Sequence, residues 1–242
     1  MRNLLILILF VNTFINNNLN AQKFDKISIV YQRIIFGREI VDGILYSDAK
    51  YSIFRKKDNS LDNQYEVKDI SPSRQEIRVV VTDSIGKVVF KNRENDVLLS
   101  RELIAKDVYI VQEVLPKIDW KISDEMKKIG NFDCQKANGK FRGRNYEAWF
   151  AASIPINDGP WKLCGLPGLI LEAYDDLNEV QFKFKDIVVK NIDLNSSIPT
   201  NEKKISYEKF REMNEKILNN FLKSSDSRVV KTVKNQQIEK EL

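Results

Sequence analysis

Short runs of β-branched and aromatic residues alternate along most of the chain with brief polar turns. This pattern is typical of β-strands, and no strand–helix–strand rhythm interrupts it. Two early strands are predicted within residues 27–35 and 40–54. Four hairpins follow, with strands at residues 77–82 and 87–90, 97–104 and 108–115, 132–137 and 142–151, and 169–174 and 180–189. We therefore predict a mainly β protein, built as a curled antiparallel sheet or half-open barrel.

The third of these hairpins is expected to turn at Asn138-Gly139, because Asn-Gly is a strong signal for a two-residue turn. In the last hairpin the expected turn is residues 175–178. Apolar and basic residues alternate in its second strand, which predicts one buried face and one solvated face.

One C-terminal amphipathic helix is predicted at residues 206–222. Ser206 is a suitable N-cap, and the apolar side chains recur at helical spacing: Phe210, Met213, Ile217 and Phe221, widened by Leu218 and Leu222. We expect this stripe to pack on the sheet. The remaining residues, 223–242, are polar and charged and are expected to form a frayed tail.

Residues 154–171 form the most unusual stretch, which we call the Pro/Gly segment. It holds three prolines and three glycines among large apolar side chains, whereas loops normally combine Gly and Pro with polar residues. Such a segment should be buried. Because buried irregular backbone needs hydrogen-bond partners, the surrounding fold must supply them.

The first 21 residues resemble a secretory signal, with basic Arg2, an apolar run at residues 4–11 and a cleavage site before Gln22. The apolar run is shorter than the roughly 20 residues of a membrane-spanning helix; the alternative is an uncleaved N-terminal anchor. We expect an exported protein, periplasmic, cell-surface or secreted, with a β domain at residues 22–205. The net charge of +5 is too small and evenly spread to indicate nucleic acid.

The two cysteines, Cys134 and Cys164, predict one disulfide in an exported chain. The bond would close a loop of about 30 residues and tie the Pro/Gly segment to the strand at Cys134, stabilising the fold by about 3 kcal/mol. The alternative is two buried free thiols.

The chain contains no histidine. This excludes Ser-His-Asp and Cys-His catalysis and His-ligated zinc, and no Gly-rich phosphate loop is present. We predict no cofactor and no metal. Asp158, Asp175 and Asp176 are candidate acids for hydrolysis, but the last two are adjacent in a turn, which explains them without catalysis. The prediction is a protein that is not an enzyme.

Two sets of residues are candidates for binding. Arg142 and Arg144 are two positions apart on a predicted strand, so they should share a face and could grip a carboxylate or phosphate; the alternative is internal pairing with Asp158, Asp133 or Glu147. The second set is apolar and lines either a cavity or plain core: Trp120, Trp149, Trp161, Leu166 and Leu169.

Residues 165–170 read Gly-Leu-Pro-Gly-Leu-Ile. Around them stand Trp120, residues 141–144 (Phe-Arg-Gly-Arg), residues 148–150 (Ala-Trp-Phe), residues 154–156 (Ile-Pro-Ile) and residues 159–162 (Gly-Pro-Trp-Lys). Over about residues 24–190 the chain resembles the GLPGLI family of exported proteins from Bacteroidetes-type bacteria. The resemblance implies a signal-bearing envelope protein of unassigned function and brings no catalytic residues with it.

The Trp120 strand, the turn at residues 128–130 and the strand at residues 132–136 are also similar to those of LolA-like lipoprotein carriers, in which helices fill the concave side of a half-barrel. The first functional hypothesis is a non-enzymatic envelope protein that binds an apolar ligand, lipid or peptide, or a partner's apolar segment. The alternative is an accessory or adhesion module that uses the basic tail and the Arg142/Arg144 face to dock on an outer-membrane transporter or the cell surface. A carboxylate hydrolase is third.

Overall fold

The computed structural model describes residues 26–37, 39–56, 68–71, 74–76, 86–104, 107–189 and 202–224. The expected signal (residues 1–21), most of the expected tail (residues 225–242) and the strand and turn predicted between residues 77 and 85 lie outside this part of the chain. The strand bounds are β1 Lys26–Ile35, β2 Glu39–Asp48, β3 Tyr51–Lys56, β4 Lys68–Ser71, β5 Arg74–Glu76, β6 Val88–Asn92, β7 Val97–Ile104, β8 Asp107–Val114, β9 Lys121–Ile129, β10 Phe132–Phe141, β11 Arg144–Ala151, β12 Leu169–Asp175, β13 Val180–Val189 and β14 Lys203–Ser206, and the helix α1 is Tyr207–Ser224.

Twelve of these strands form a single sheet in the order β14-β8-β7-β6-β3-β2-β1-β13-β12-β11-β10-β9. All its neighbouring strands are antiparallel except β14 and β8, which run parallel. The sheet does not close into a barrel, so β14 and β9 form its two edges, and β4 and β5 make a separate hairpin. The predicted class, a mainly β protein with an open sheet and a C-terminal helix, is confirmed; the parallel pair was not anticipated.

The main core lies on one face of this sheet, which we call the inner face. Across β10, β11 and β12 the register aligns Ala137, Ala148 and Ala173, all fully buried. The Pro/Gly segment packs into the same core, and its side chains Ile154, Leu163 and others are buried as completely as those of the strands. The inner face is thus covered by the chain's own irregular segment.

Two of the predicted hairpins are confirmed, β7 with β8 and β12 with β13. The turn predicted at Asn138-Gly139 is wrong, because β10 continues through it and turns at Arg142-Gly143 instead. Both residues of the observed turn have positive φ, 50° and 71°, as a type I′ turn requires. Gly139 serves a different purpose: a Cβ there would lie 2.7 Å from the ring of Trp120. A close approach of side chain to strand, and not a turn, explains this glycine.

The helix α1 begins directly after Ser206, as expected, and the described part of its apolar stripe is only partly covered. Tyr207 is the only buried side chain of α1 among those the structure describes; Phe210 and Met213 are half-buried, and Ile217 is 42% exposed. The helix contacts β14 and β8 at the sheet edge. Among the described residues, no helix combines the length and apolar content needed to cross a bilayer.

Replacing Ser206 should loosen α1 without affecting the sheet. The backbone N–H of Lys209 donates to Ser206 Oγ at 3.2 Å, which is an N-cap bond. Ser206→Ala removes the acceptor and should cost about 1 kcal/mol of helix stability, measured as faster hydrogen exchange of the α1 amides. Ser206→Asp keeps an acceptor and is the control. Equal exchange in the alanine variant and the wild type would show that this bond does not stabilise the helix.

Candidate functional site

A row of polar side chains crosses the inner face and holds the Pro/Gly segment. The register places Ser47 of β2 opposite Ser52 of β3, and Ser52 opposite Lys91 of β6. All three are buried, and Lys91 is 0% exposed. Buried polar groups need partners, and the Pro/Gly segment provides them.

Asp158, near the start of the Pro/Gly segment, is the main partner. Its Oδ1 lies 2.5 Å from Lys91 Nζ and its Oδ2 lies 2.7 Å from Arg93 Nη1. Ser47 Oγ also donates to Oδ2, at 2.7 Å. Burial by itself raises the pKa of the Asp158 carboxyl, but the charges of Lys91 and Arg93 outweigh it and lower the pKa to about 2. We call Asp158, Lys91 and Arg93 the buried ion cluster.

The backbone of the Pro/Gly segment is satisfied by the same surroundings. Lys91 Nζ donates to the carbonyl oxygens of Gly159 at 2.8 Å and Leu163 at 3.2 Å. Tyr31 Oη donates to the carbonyl of Ile170 at 2.7 Å, and Trp120 Nε1 to the carbonyl of Cys164 at 2.8 Å. These bonds remove the cost of burying irregular backbone.

Glycine at position 168 is required by the same tight packing. A Cβ at this position would lie 2.4 Å from the carbonyl oxygen of Ala151. Backbone oxygen cannot move aside as a flexible side chain would, so the second glycine of the hexapeptide at residues 165–170 lets the Pro/Gly segment approach the end of β11.

A second ion cluster joins the Pro/Gly segment to α1. Glu113 of β8 accepts from Lys162 Nζ at 3.1 Å and also from Arg142. The guanidinium of Arg142 lies 3.8 Å from the ring centroid of Tyr207, the first residue of α1, and Lys162 Nζ lies 5.6 Å from it. The first turn of the helix is therefore anchored by cation–π contacts.

Arg142 and Arg144 do not form a joint anion site, and the prediction that they share a strand face is wrong. Arg142 lies in the turn, whereas Arg144 begins β11 and is fully buried, paired with Asp175 and with Glu179 at 2.7 Å. The alternative of internal pairing is correct, although with other carboxylates than those expected. Asp175 also accepts from the backbone N–H of Val180, at 2.9 Å, which fixes the β12–β13 turn.

The apolar candidates are spread over different places. Leu166 and Leu169 are 1% and 0% exposed and belong to the main core. Trp161 is half-buried and packs edge to face on Phe141, and Trp120 is half-buried over Gly139. Trp149 is opposite Lys136 and Glu172 in the register, and Lys127 Nζ lies 4.4 Å from its ring centroid. Because neighbours on a strand alternate, Trp149 faces away from Ala148 and the inner face. We call this opposite side of the sheet the outer face.

The predicted disulfide is wrong in this structure, since Cys134 and Cys164 are free, buried thiols. Cys134 is opposite Lys127 in the register and shares the outer face with it, whereas Cys164 Sγ lies near the carbonyl of Pro116, on the Pro/Gly segment. The two side chains thus have separate surroundings. Burial raises the pKa of Cys134 to about 11 and also raises that of Cys164.

The residues missed by the sequence analysis are the cations and the carboxylate that hold the Pro/Gly segment: Lys91, Arg93, Lys162 and Glu113. One signal existed, because Lys91 falls two positions after Val89 in an apolar strand and must share its buried face. In the part of the chain that the structure describes, no three Cys, Asp or Glu side chains are grouped to hold a metal ion. The arrangement described here can hold backbone and position elements, and its buried carboxylates are committed to cations.

The fold and this site define an open-sheet β protein whose irregular segment is clamped by buried ions. A family model described as "Protein of unknown function (Porph_ging)" matches residues 140–172. That stretch runs from the end of β10 to β12 and includes the hexapeptide at residues 165–170. Comparison with curated proteins gives no match.

Among solved structures, two of PNGF-II are similar to this chain. The form in space group P21 has a TM-score of 0.57 at 14% identity, and the form in C2 a TM-score of 0.54 at 17% identity; each covers 78% of this chain. The chain spans about a third of the length of PNGF-II, 33% and 32%. An uncharacterized conserved protein from Thermus thermophilus matches at a TM-score of 0.41 and 10% identity, covering 81% of this chain and 99% of its own. The PNGF-II likeness shows a shared fold and nothing of function.

Asp158→Asn should destabilise the protein strongly. The change leaves Lys91 buried without its counter-charge, which costs about 3–5 kcal/mol in comparable buried pairs, measured as the free energy of unfolding in urea. Glu94→Gln is the matched control, because it breaks a pair with Lys50 whose side chains are 48% and 60% exposed. That change should cost less than about 1 kcal/mol. Equal effects of the two variants would contradict the role given to the buried ion cluster.

Asp158 should also contribute to the acid sensitivity of the fold. Its pKa falls from an ordinary 3.8 to about 2 on folding, so its contribution is complete above the unfolded pKa and is lost as pH falls towards 2. The contribution amounts to roughly 2 kcal/mol. Unfolding free energies measured from about pH 5 to pH 2 should fall less steeply in Asp158→Asn than in the wild type; parallel curves would refute the assignment.

Proposed function

We propose that the mature chain is an exported, non-enzymatic envelope protein that binds an apolar segment of a partner protein along α1. The observation that carries the proposal is the partial exposure of the described part of this helix's apolar stripe: Phe210 and Met213 are half-buried and Ile217 is 42% exposed. An amphipathic helix whose apolar face is partly exposed is a common element of protein recognition.

The inner face argues against a ligand held inside the curled sheet. A lipid there would have to displace the Pro/Gly segment, whose Leu163 and Leu166 are buried and whose Asp158 is bound by two cations. Breaking buried pairs of this kind is costly. Of the two ligands in the first hypothesis, the structure favours the partner's apolar segment over the lipid.

The charges beside the stripe suggest what the partner segment carries. On a helix of 3.6 residues per turn, Lys209 and Lys216 border the stripe on one side and Arg211 on the other, while the acidic residues occupy the opposite side: Glu208, Glu212 and Glu215. An apolar segment flanked by carboxylates would complement this arrangement. The partner we propose is therefore apolar at its centre and acidic at its borders.

The base of α1 is suited to presenting such a surface. Tyr207 is held by Arg142 and Lys162, and both cations share Glu113. The contacts connect the helix to the buried Pro/Gly segment. The first turn of the helix is thus attached to the Pro/Gly segment by charged and cation–π contacts, and a helix held in place before binding lowers the ordering cost of binding.

Absence of catalysis is part of the proposal. Asp158 and Asp175, two of the acids considered for hydrolysis, are fully buried and paired with Lys91, Arg93 and Arg144. The remaining one, Asp176, lies exposed in a turn and accepts from the side chain of Asn145. The resemblance to GLPGLI proteins supports export and envelope location, and the matched stretch at residues 140–172 contains the hexapeptide.

The alternative, an accessory or adhesion module docked on an outer-membrane transporter, was based partly on an Arg142/Arg144 face. That face does not exist, since the two side chains have separate carboxylate partners. In our proposal α1 is the docking surface, and an outer-membrane transporter is one candidate for the protein that carries the partner segment.

Site-specific photo-crosslinking in the native envelope tests the proposal. Benzoylphenylalanine placed at Ile217, on the stripe, should give crosslinks to a protein, whereas the same group at Glu215, on the acidic side, should give none. Native mass spectrometry of the purified chain should show no lipid. Crosslinks to lipid, a lipid adduct in the native mass, or equal crosslinking from both positions would overturn it.

A further inference from the structure

We propose that two copies of this chain pair edge to edge through β9, antiparallel and with Met126 on the two-fold axis. This inference concerns a surface other than α1 and goes beyond the proposed binding function. It follows from the position of β9 in the sheet and from the order of charges along it.

The strand β9 is the long open edge of the sheet. It pairs with β10 on one side and, within the described residues, with no strand on the other. At the opposite edge β14 is only four residues long and leads directly into α1. An open edge presents unpaired backbone groups that can bond to another strand.

Charged residues usually protect such an edge, because like charges of two copies repel each other. The charges here are ordered differently. Residues 124–128 read Asp-Glu-Met-Lys-Lys, so the sign is negative on one side of Met126 and positive on the other. In an antiparallel pair centred on Met126, Asp124 faces Lys128 of the second copy and Glu125 faces Lys127, twice over by symmetry.

The faces of the sheet agree with this register. Glu125 bonds Lys136 at 3.1 Å, and Lys127 bonds Glu172 at 2.6 Å; Lys136 and Glu172 are both opposite Trp149 in the register, so all of these side chains share the outer face. In the pair, Glu125 of one copy would lie beside Lys127 of the other. The outer face would then carry a line of alternating charge across the junction, from Lys136 and Glu125 of one copy to Lys127 and Glu172 of the other.

On the inner face the same register brings the two Met126 side chains together. Met126 is 59% exposed and is opposite Gln135, which in turn is opposite buried Phe150. A second copy would cover an apolar side chain that otherwise lies at the end of the core. Asp124 and Lys128, which make no ion pair among the described residues, would gain one.

A competing register is disfavoured by the same charges. Centring the pair on Asp124 would match Ile122 with Met126 of the second copy, but it sets Asp124 against itself and Lys121 against Lys127. Like charges directly opposite each other destabilise a strand pair. In addition, a bulge interrupts the pairing of β9 with β10 between Ile122 and Met126. The regular part of this pairing therefore lies on the Met126 side.

Charge-reversal variants test the inference by sedimentation velocity on the mature chain at low salt. Lys127→Glu/Lys128→Glu makes residues 124–128 acidic on both sides of Met126 and Asp124→Lys/Glu125→Lys makes them basic on both sides, so each variant alone should be monomeric where the wild type is dimeric. Mixed in equal amounts they should form a heterodimer. Lys183→Glu/Lys204→Glu, which alters exposed lysines elsewhere by the same charge, should leave the dimer intact.

Cysteine crosslinking tests the register independently. Met126→Cys should form an intermolecular disulfide under mild oxidation, since facing strand positions lie within disulfide reach, and Ile122→Cys should not. A wild type that is monomeric at every concentration, variants that remain apart on mixing, or crosslinking through position 122 in place of 126 would overturn the inference. None of these outcomes bears on the stripe of α1.

Discussion

The interaction on which the structure most depends is the buried ion cluster of Lys91, Arg93 and Asp158. A lysine with no exposed surface is tolerated only where its donors are used. Lys91 uses them on the Asp158 carboxylate and on two carbonyl groups of the Pro/Gly segment. Each group supplies what the other needs: the carbonyl groups of the irregular segment need hydrogen-bond donors, and the buried ammonium group of Lys91 needs acceptors.

Filling the inner face in this way determines where function can lie. A curled sheet with an empty interior would be a container, but this one is occupied by its own chain through Leu163 and Leu166. What remains for recognition is the periphery, and α1 and the β9 edge each carry some of the exposed apolar side chains: Ile217 on α1, and Ile122 and Met126 on β9. The Pro/Gly segment then acts as a scaffold, and the contact between its Lys162 and Tyr207 connects it to α1.

Local patterns predicted the fold well because strand alternation and turn composition act over a few residues. Position 139 shows the limit of such local patterns. The Asn-Gly sequence favours a turn, but the ring of Trp120 packs against Gly139 and the chain turns four residues later. The stripe of α1 likewise predicted the helix correctly, but it did not predict that Ile217 is 42% exposed. An amphipathic pattern states that a face is apolar and does not state what covers it.

The candidate site was predictable in part for the same reason. Apolar residues between the prolines and glycines predicted that the Pro/Gly segment is buried, but its partners lie on β2 and β6, far away in sequence, and only the sheet register shows that Ser47, Ser52 and Lys91 form one row. The β9 edge also shows that a sequence pattern can be interpreted only once the topology is known. Its charge order is visible in residues 124–128 from the start, yet it acquires meaning only when the topology shows that β9 is an edge, because an interior strand would present the same charges to its neighbours and not to another molecule.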